Sequence, residues 1–99
     1  MQVDLAREPL WLDPVNQWVR RGPQMLRLTP KAFAVLRLLA ERSGQLVTKQ
    51  ELFEGAWADT AVGGAVLTTV VREIRSVLGD QASQPWLIET VHRRGYRLL

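Results

Sequence analysis

Apolar residues change rhythm along this chain. Up to residue 28 they come in short stretches, VDL, PLWLD, QWVRR and QMLRL, set apart by Arg7-Glu8-Pro9, Asp13-Pro14-Val15-Asn16 and Gly22-Pro23. Turn formers at that spacing predict four short antiparallel strands. A sheet this small cannot stand alone, so one face must be covered by the rest of the chain, and Trp11 and Trp18 are expected on that covered face.

From Thr29 the period becomes helical. Thr29-Pro30 reads as an N-cap followed by proline at the first helical position, and KAFAVLRLLAER sets Phe33, Leu36, Leu39 and Ala40 on one face before Ser43-Gly44 ends the run. Thr48 with Glu51 three residues on has the form of a capping box ahead of Leu52, Phe53, Ala56 and Trp57, which predicts a second helix of about three turns at most. ADTAVGG interrupts it. A third helical run starts at Ala65 and ends at Gly79, an expected C-cap. The last stretch, WLIETVHRRGYRLL, predicts a hairpin with strands from Trp86 to Val91 and from Tyr96 onward, joined by a turn carrying His92-Arg93-Arg94-Gly95. The expected organisation is one α+β domain over 1–99, with a four-stranded antiparallel sheet in 1–28, three helices in 29–79 and a hairpin in 86–99.

Advancing about 100° per residue along the third helix sorts its side chains. Leu67, Val71, Ile74 and Leu78 fall in one narrow arc flanked by Val70 and Val77. The opposite arc holds Thr68, Thr69, Arg72 and Ser76, with Arg75 at one edge and Glu73 at the other. One face packs, and the other presents short hydroxyls and guanidinium groups suited to the edges and phosphates of a DNA major groove. The same pattern describes most solvated surface helices. Context decides between them: a short capped helix before it and a basic hairpin after it complete a positioning helix, a reading helix and a wing.

Charge sharpens this reading. The 99 residues carry a formal net charge of +3 with a pI near 10.2. Residues 67–99 hold five arginines against three acidic residues, and Arg93 and Arg94 sit at the hairpin tip, where a phosphate or minor-groove role is expected. Thr90 and Tyr96 flank the tip and can donate to phosphate; Tyr96 reads equally as a core ring with its hydroxyl at the rim. Cysteine is absent, which excludes disulfides, thiolate metal sites and cysteine nucleophiles. His92 is the sole histidine and has no acidic partner in a motif, and Gly63-Gly64 lacks the lysine and spacing of a phosphate loop. No enzyme, metal or cofactor is expected. No apolar run reaches the roughly 18 to 20 residues of a membrane span, and the start has no signal-peptide pattern, so a cytoplasmic, nucleoid-associated protein without a membrane partner is expected.

LTPKAFAVLRLLAE, LVTKQELFEGAW, VLTTVVREIRSVLGD and QPWLIETVHRRGYRL together resemble successive blocks of the OmpR/PhoB-type winged helix-turn-helix effector domain of bacterial transcription regulators. The resemblance covers nearly the whole chain and implies the same order of sheet, three helices and C-terminal wing. It implies sequence-specific binding of double-stranded promoter DNA, often by a second protomer alongside on tandem half-sites. By position it implies DNA contacts from Thr68, Thr69, Val70, Arg72, Glu73 and Arg75, with Ser76 on the same face, and from Thr90, His92, Arg94 and Tyr96 in the wing beside Arg93. Trp57 matches a phosphate-contacting position and reads equally as a core aromatic. Loop 58–64 matches the segment through which some members touch RNA polymerase. Glu73 stands where many members are basic, so it repels phosphate and suits a cytosine amino group, and a distinct target is expected. Gly63-Gly64 leaves the reading helix without a side-chain cap, and a loop mobile without DNA is expected there. Response-regulator members carry a phosphorylatable receiver domain ahead of this one, and residues 1–99 contain none, so either these residues are an excised domain of a phosphorelay protein or the sensor is expected elsewhere. The rival function is a winged-helix module that binds protein without DNA.

Overall fold

The computed structural model describes residues 1–3, 9–58 and 61–99. The N-terminal sheet has the order β1-β2-β3-β4, from Gln2–Val3, Leu10–Asp13, Trp18–Arg21 and Gln24–Arg27. The first strand is only two residues long, so the sheet proper is three four-residue strands, where four comparable ones were expected. Asp4 and Leu5 of the expected first strand lie outside the described residues, as do Arg7 and Glu8.

The expectation for the tryptophans is reversed. Leu10, Leu12 and Val19 are buried, with Leu12 opposite Val19, while Trp11 is 41% exposed. PLWLD offers three consecutive apolar residues, and a strand can bury only alternate ones. The sheet buries the leucines and turns Trp11 and Trp18 outward, where the guanidinium groups of Arg20 and Arg27 lie 5.2 and 5.1 Å from their ring centroids.

Three helices come next in the chain: α1 (Pro30–Glu41), α2 (Lys49–Ala56) and α3 (Ala65–Leu78). Phe33, Leu36 and Leu39 of α1 meet Leu52 of α2 and Leu67, Val71, Ile74 and Leu78 of α3 in one apolar core. Ile74 is wholly buried, and cutting it to alanine should cost about 2–5 kcal/mol. The capping box of α2 is formed: Thr48 Oγ1 accepts from the Glu51 amide at 3.1 Å, and the Glu51 carboxylate turns back to Thr48. Helix α3 has Gly64 as its N-cap, with no side-chain cap bond, and Gly79 as its C-cap, whose φ of 73° favours glycine. Among the described residues no helix is long and apolar enough to cross a membrane.

The C-terminal hairpin is β6 (Ile88–Val91) and β7 (Gly95–Leu98), and it is joined by a strand not expected from sequence, β5 (Leu46–Thr48), giving the order β5-β7-β6. LVT is too short for alternation to stand out, and Thr48 also carries the cap signal. Gly95 is what allows the third strand: a Cβ there would collide with the Val47 carbonyl oxygen. This pairing fixes the base of the hairpin to the start of α2.

Candidate nucleic-acid interface

Helix α3 and the hairpin meet across a cleft of about 370 Å³, lined by Thr68, Arg72, Arg75 and Ser76 from the helix and, on the other side, by residues including Asp80 and Tyr96. The helical arcs read from sequence appear in the burial: Leu67, Val70, Val71, Ile74 and Leu78 are buried, while Thr68, Thr69, Arg72 and Ser76 are exposed. The Arg72 guanidinium has no hydrogen bond or ion pair to another side chain or carbonyl among the described residues. The Thr69 hydroxyl donates back to the Ala65 carbonyl at 3.0 Å.

The two edge residues are tied into the fold. Glu73 was expected to face bases, and Thr29 to cap its own helix. Instead the Glu73 carboxylate accepts from both the Thr29 amide and the Thr29 hydroxyl, each at 2.8 Å, and Thr29 makes no side-chain cap bond. A carboxylate at the N-terminus of α1 is well placed against the positive end of that helix. Arg75 turns toward the wing. Its Nη2 donates to the Ile88 carbonyl at 2.8 Å and to Thr90 Oγ1 at 2.9 Å, and its Nε lies 3.6 Å from Asp80 Oδ2.

Asp80 organises the join between helix and wing. It is 6% exposed, and its carboxylate accepts from the amides of Trp86, Leu87 and Ile88 at 2.8, 3.2 and 3.0 Å. Arg21 of β3 donates to the Leu78 carbonyl at 2.7 Å, so the last turn of α3 is held from the N-terminal sheet as well. Sequence reasoning passed over Asp80; its signal was an acidic residue directly after a glycine C-cap and shortly before a strand. It also passed over Lys49, which is exposed and whose amide donates to the Arg94 carbonyl at 3.0 Å, beside the wing turn.

Three expected contacts are buried instead. Val70 is part of the core because it flanks the apolar arc. Tyr96 is buried on β7, with its edge bordering the cleft, the rim-ring alternative read from sequence. Trp57 is 6% exposed, its ring centroid 5.7 Å from that of Phe53 and 5.8 Å from Lys31 Nζ, which fits its reading as a core aromatic.

At the wing, His92, Arg93 and Arg94 form an exposed three-residue turn. The turn is closed by the Arg94 amide donating to the Val91 carbonyl at 2.9 Å, and Arg93 takes the left-handed φ of 62°. These three side chains have no partner among the described residues, and Thr90 is exposed beside them. Asp59 and Thr60, in the middle of loop 58–64, lie outside the described residues. Among the described residues no group of three or more His, Asp or Glu side chains could hold a metal ion.

A three-helix core with a reading-type helix and a hairpin packed against its end defines a winged helix-turn-helix domain, α+β in class. Residues 23–98 match the family described as "Transcriptional regulatory protein, C terminal", and the chain belongs to that family, the OmpR/PhoB type. It is 34% identical over 102 residues to the transcriptional activator CadC of Escherichia coli, covering 100% of this chain and 20% of CadC. It is 35% identical over 94 residues to the transcriptional regulatory protein CutR of Streptomyces coelicolor, covering 95% of this chain and 42% of CutR. The chain thus spans less than half of these relatives. The RstA DNA-binding domain of Klebsiella pneumoniae, solved in complex with the RstA box, superposes with a TM-score of 0.82 at 26% identity over 98% of this chain and 95% of that one. The DNA-binding domain of E. coli CadC superposes at 0.80 with 27% identity, over 100% and 94%.

Proposed function

We propose that this domain binds double-stranded promoter DNA sequence-specifically in transcription regulation, with α3 in the major groove and the 92–94 turn on the minor groove or backbone. The observation that carries the reading is the exposed arc of Thr68, Thr69, Arg72 and Ser76 on α3, of which Thr68, Arg72 and Ser76 line a cleft shared with Tyr96 of the wing, together with the exposed cations of the wing turn. A helix of this width fits the major groove, and free guanidinium groups suit guanine edges and phosphates. The likeness to a domain solved on its DNA box supports this over protein binding alone. No catalytic role is proposed, and the setting of such an activity is the cytoplasm. A second protomer on tandem half-sites and contact of loop 58–64 with RNA polymerase are further proposals resting on the family resemblance.

A salt titration tests the reading. If about five phosphates are neutralised, log affinity falls with log salt at a slope of roughly −4 to −5. Absence of duplex binding at low salt, or a flat response, would sink it. Selection from random duplex then gives the target, and two half-sites about 10 base pairs apart would support paired protomers.

A further inference from the structure

Arg72 and Arg75 stand on the same helix, one turn apart, and the structure gives them different chemistry. A guanidinium recognises guanine through two parallel N–H groups, either the end pair Nη1 and Nη2 or the side pair Nε and Nη2. Both pairs require Nη2. On Arg75, Nη2 already donates to both the Ile88 carbonyl and Thr90 Oγ1. Its Nε is buried beside Asp80 with no hydrogen bond of its own, and the side chain is only 13% exposed. Neither fork is open. Arg72 is exposed, and its fork meets no partner among the described residues.

The bond to Thr90 has a consequence for the wing. A hydroxyl can accept and donate; here its oxygen accepts from a cation, so its proton is left to donate, and a hydroxyl that accepts from a charged donor is polarised into a stronger donor. Thr90 is exposed and lies two residues before the basic turn. Resting on the DNA-binding reading above, we infer that Arg75 is a positioning residue, not a base reader. Held by Asp80, it ties the reading helix to β6 and aims the Thr90 hydroxyl proton at a DNA phosphate. Base reading by guanidinium on this helix falls to Arg72.

The test is a double-mutant cycle on the 99-residue chain, with Arg75→Met, Thr90→Val, both together, and Thr90→Ser, measured on the selected duplex and on random duplex. Each single change is expected to weaken both duplexes by about tenfold, with the preferred base unchanged at every position. The double variant should be no weaker than either single one, and Thr90→Ser should bind as the unaltered protein does. The inference is overturned if Arg75→Met erases the preference at one base pair, or if the two losses multiply. Should Arg75→Met fail to fold, the threonine pair decides: Thr90→Val binding as tightly as Thr90→Ser overturns it. Failure of the unaltered chain to bind any duplex refutes the DNA-binding reading itself, which is a different outcome from a shifted base preference.

Discussion

Helix α3 and the β6–β7 turn carry cationic side chains of the same kind and are built in opposite ways. On α3 the side chains are fixed: Thr69 is bonded to Ala65, Glu73 to Thr29, and Arg75 to Ile88 and Thr90. At the turn the backbone is fixed, by the Arg94 to Val91 bond, the Lys49 to Arg94 bond and the press of Gly95 on Val47, while His92, Arg93 and Arg94 stay exposed. A framework of fixed neighbours leaves Arg72 one defined surface to work from, which favours discrimination between bases. Exposed cations on a rigid loop follow charge wherever phosphates lie, which favours affinity. On the DNA-binding reading proposed above, the difference is a division of labour between selectivity and grip.

The largest expected effect comes from breaking the platform of the wing. Gly95→Ala places a methyl into the Val47 carbonyl, so β5 must leave β7, and unfolding stability should drop by about 3 kcal/mol by denaturant titration. An unchanged midpoint would mean that the turn is not held by this contact. Next comes Arg72→Ala, expected to cost about 1–3 kcal/mol on the selected duplex while hardly altering binding to random duplex, so that preference relaxes at one base position. Arg94→Ala should be smallest, weakening both duplexes alike and reducing the salt slope by about one. If Arg72→Ala and Arg94→Ala shift selected and random duplex equally, the contrast between helix and turn fails.

Much of the frame was legible because it is encoded locally. The capping box at Thr48 and Glu51, the glycine stop at 79 and the apolar arc of α3 need only neighbours a few residues apart, and each is present. The strand phase of PLWLD was not legible, because three consecutive apolar residues leave alternation undefined until packing chooses. Strand β5 was hidden because three residues carry too little pattern, and its partner β7 lies nearly 50 residues further on. Of the candidate site, the exposure of its side chains was legible. Thr68, Thr69, Arg72 and Ser76 are exposed on one arc, and His92, Arg93 and Arg94 are exposed at the turn. Glu73 and Arg75 were placed correctly at the edges of that arc, yet their partners were invisible: Thr29 is 44 residues away and Thr90 is 15 away. Sequence periodicity tells where a side chain points, not which distant group is waiting there.

The angular sorting of α3 also bears on how such a domain can diversify. Among the described residues Thr68, Arg72 and Ser76 form no tertiary bond that the fold depends on, whereas Glu73, Arg75 and the buried arc do. Substitutions at the first set can accumulate without eroding stability, so a lineage can drift from one operator to another through folded intermediates at every step.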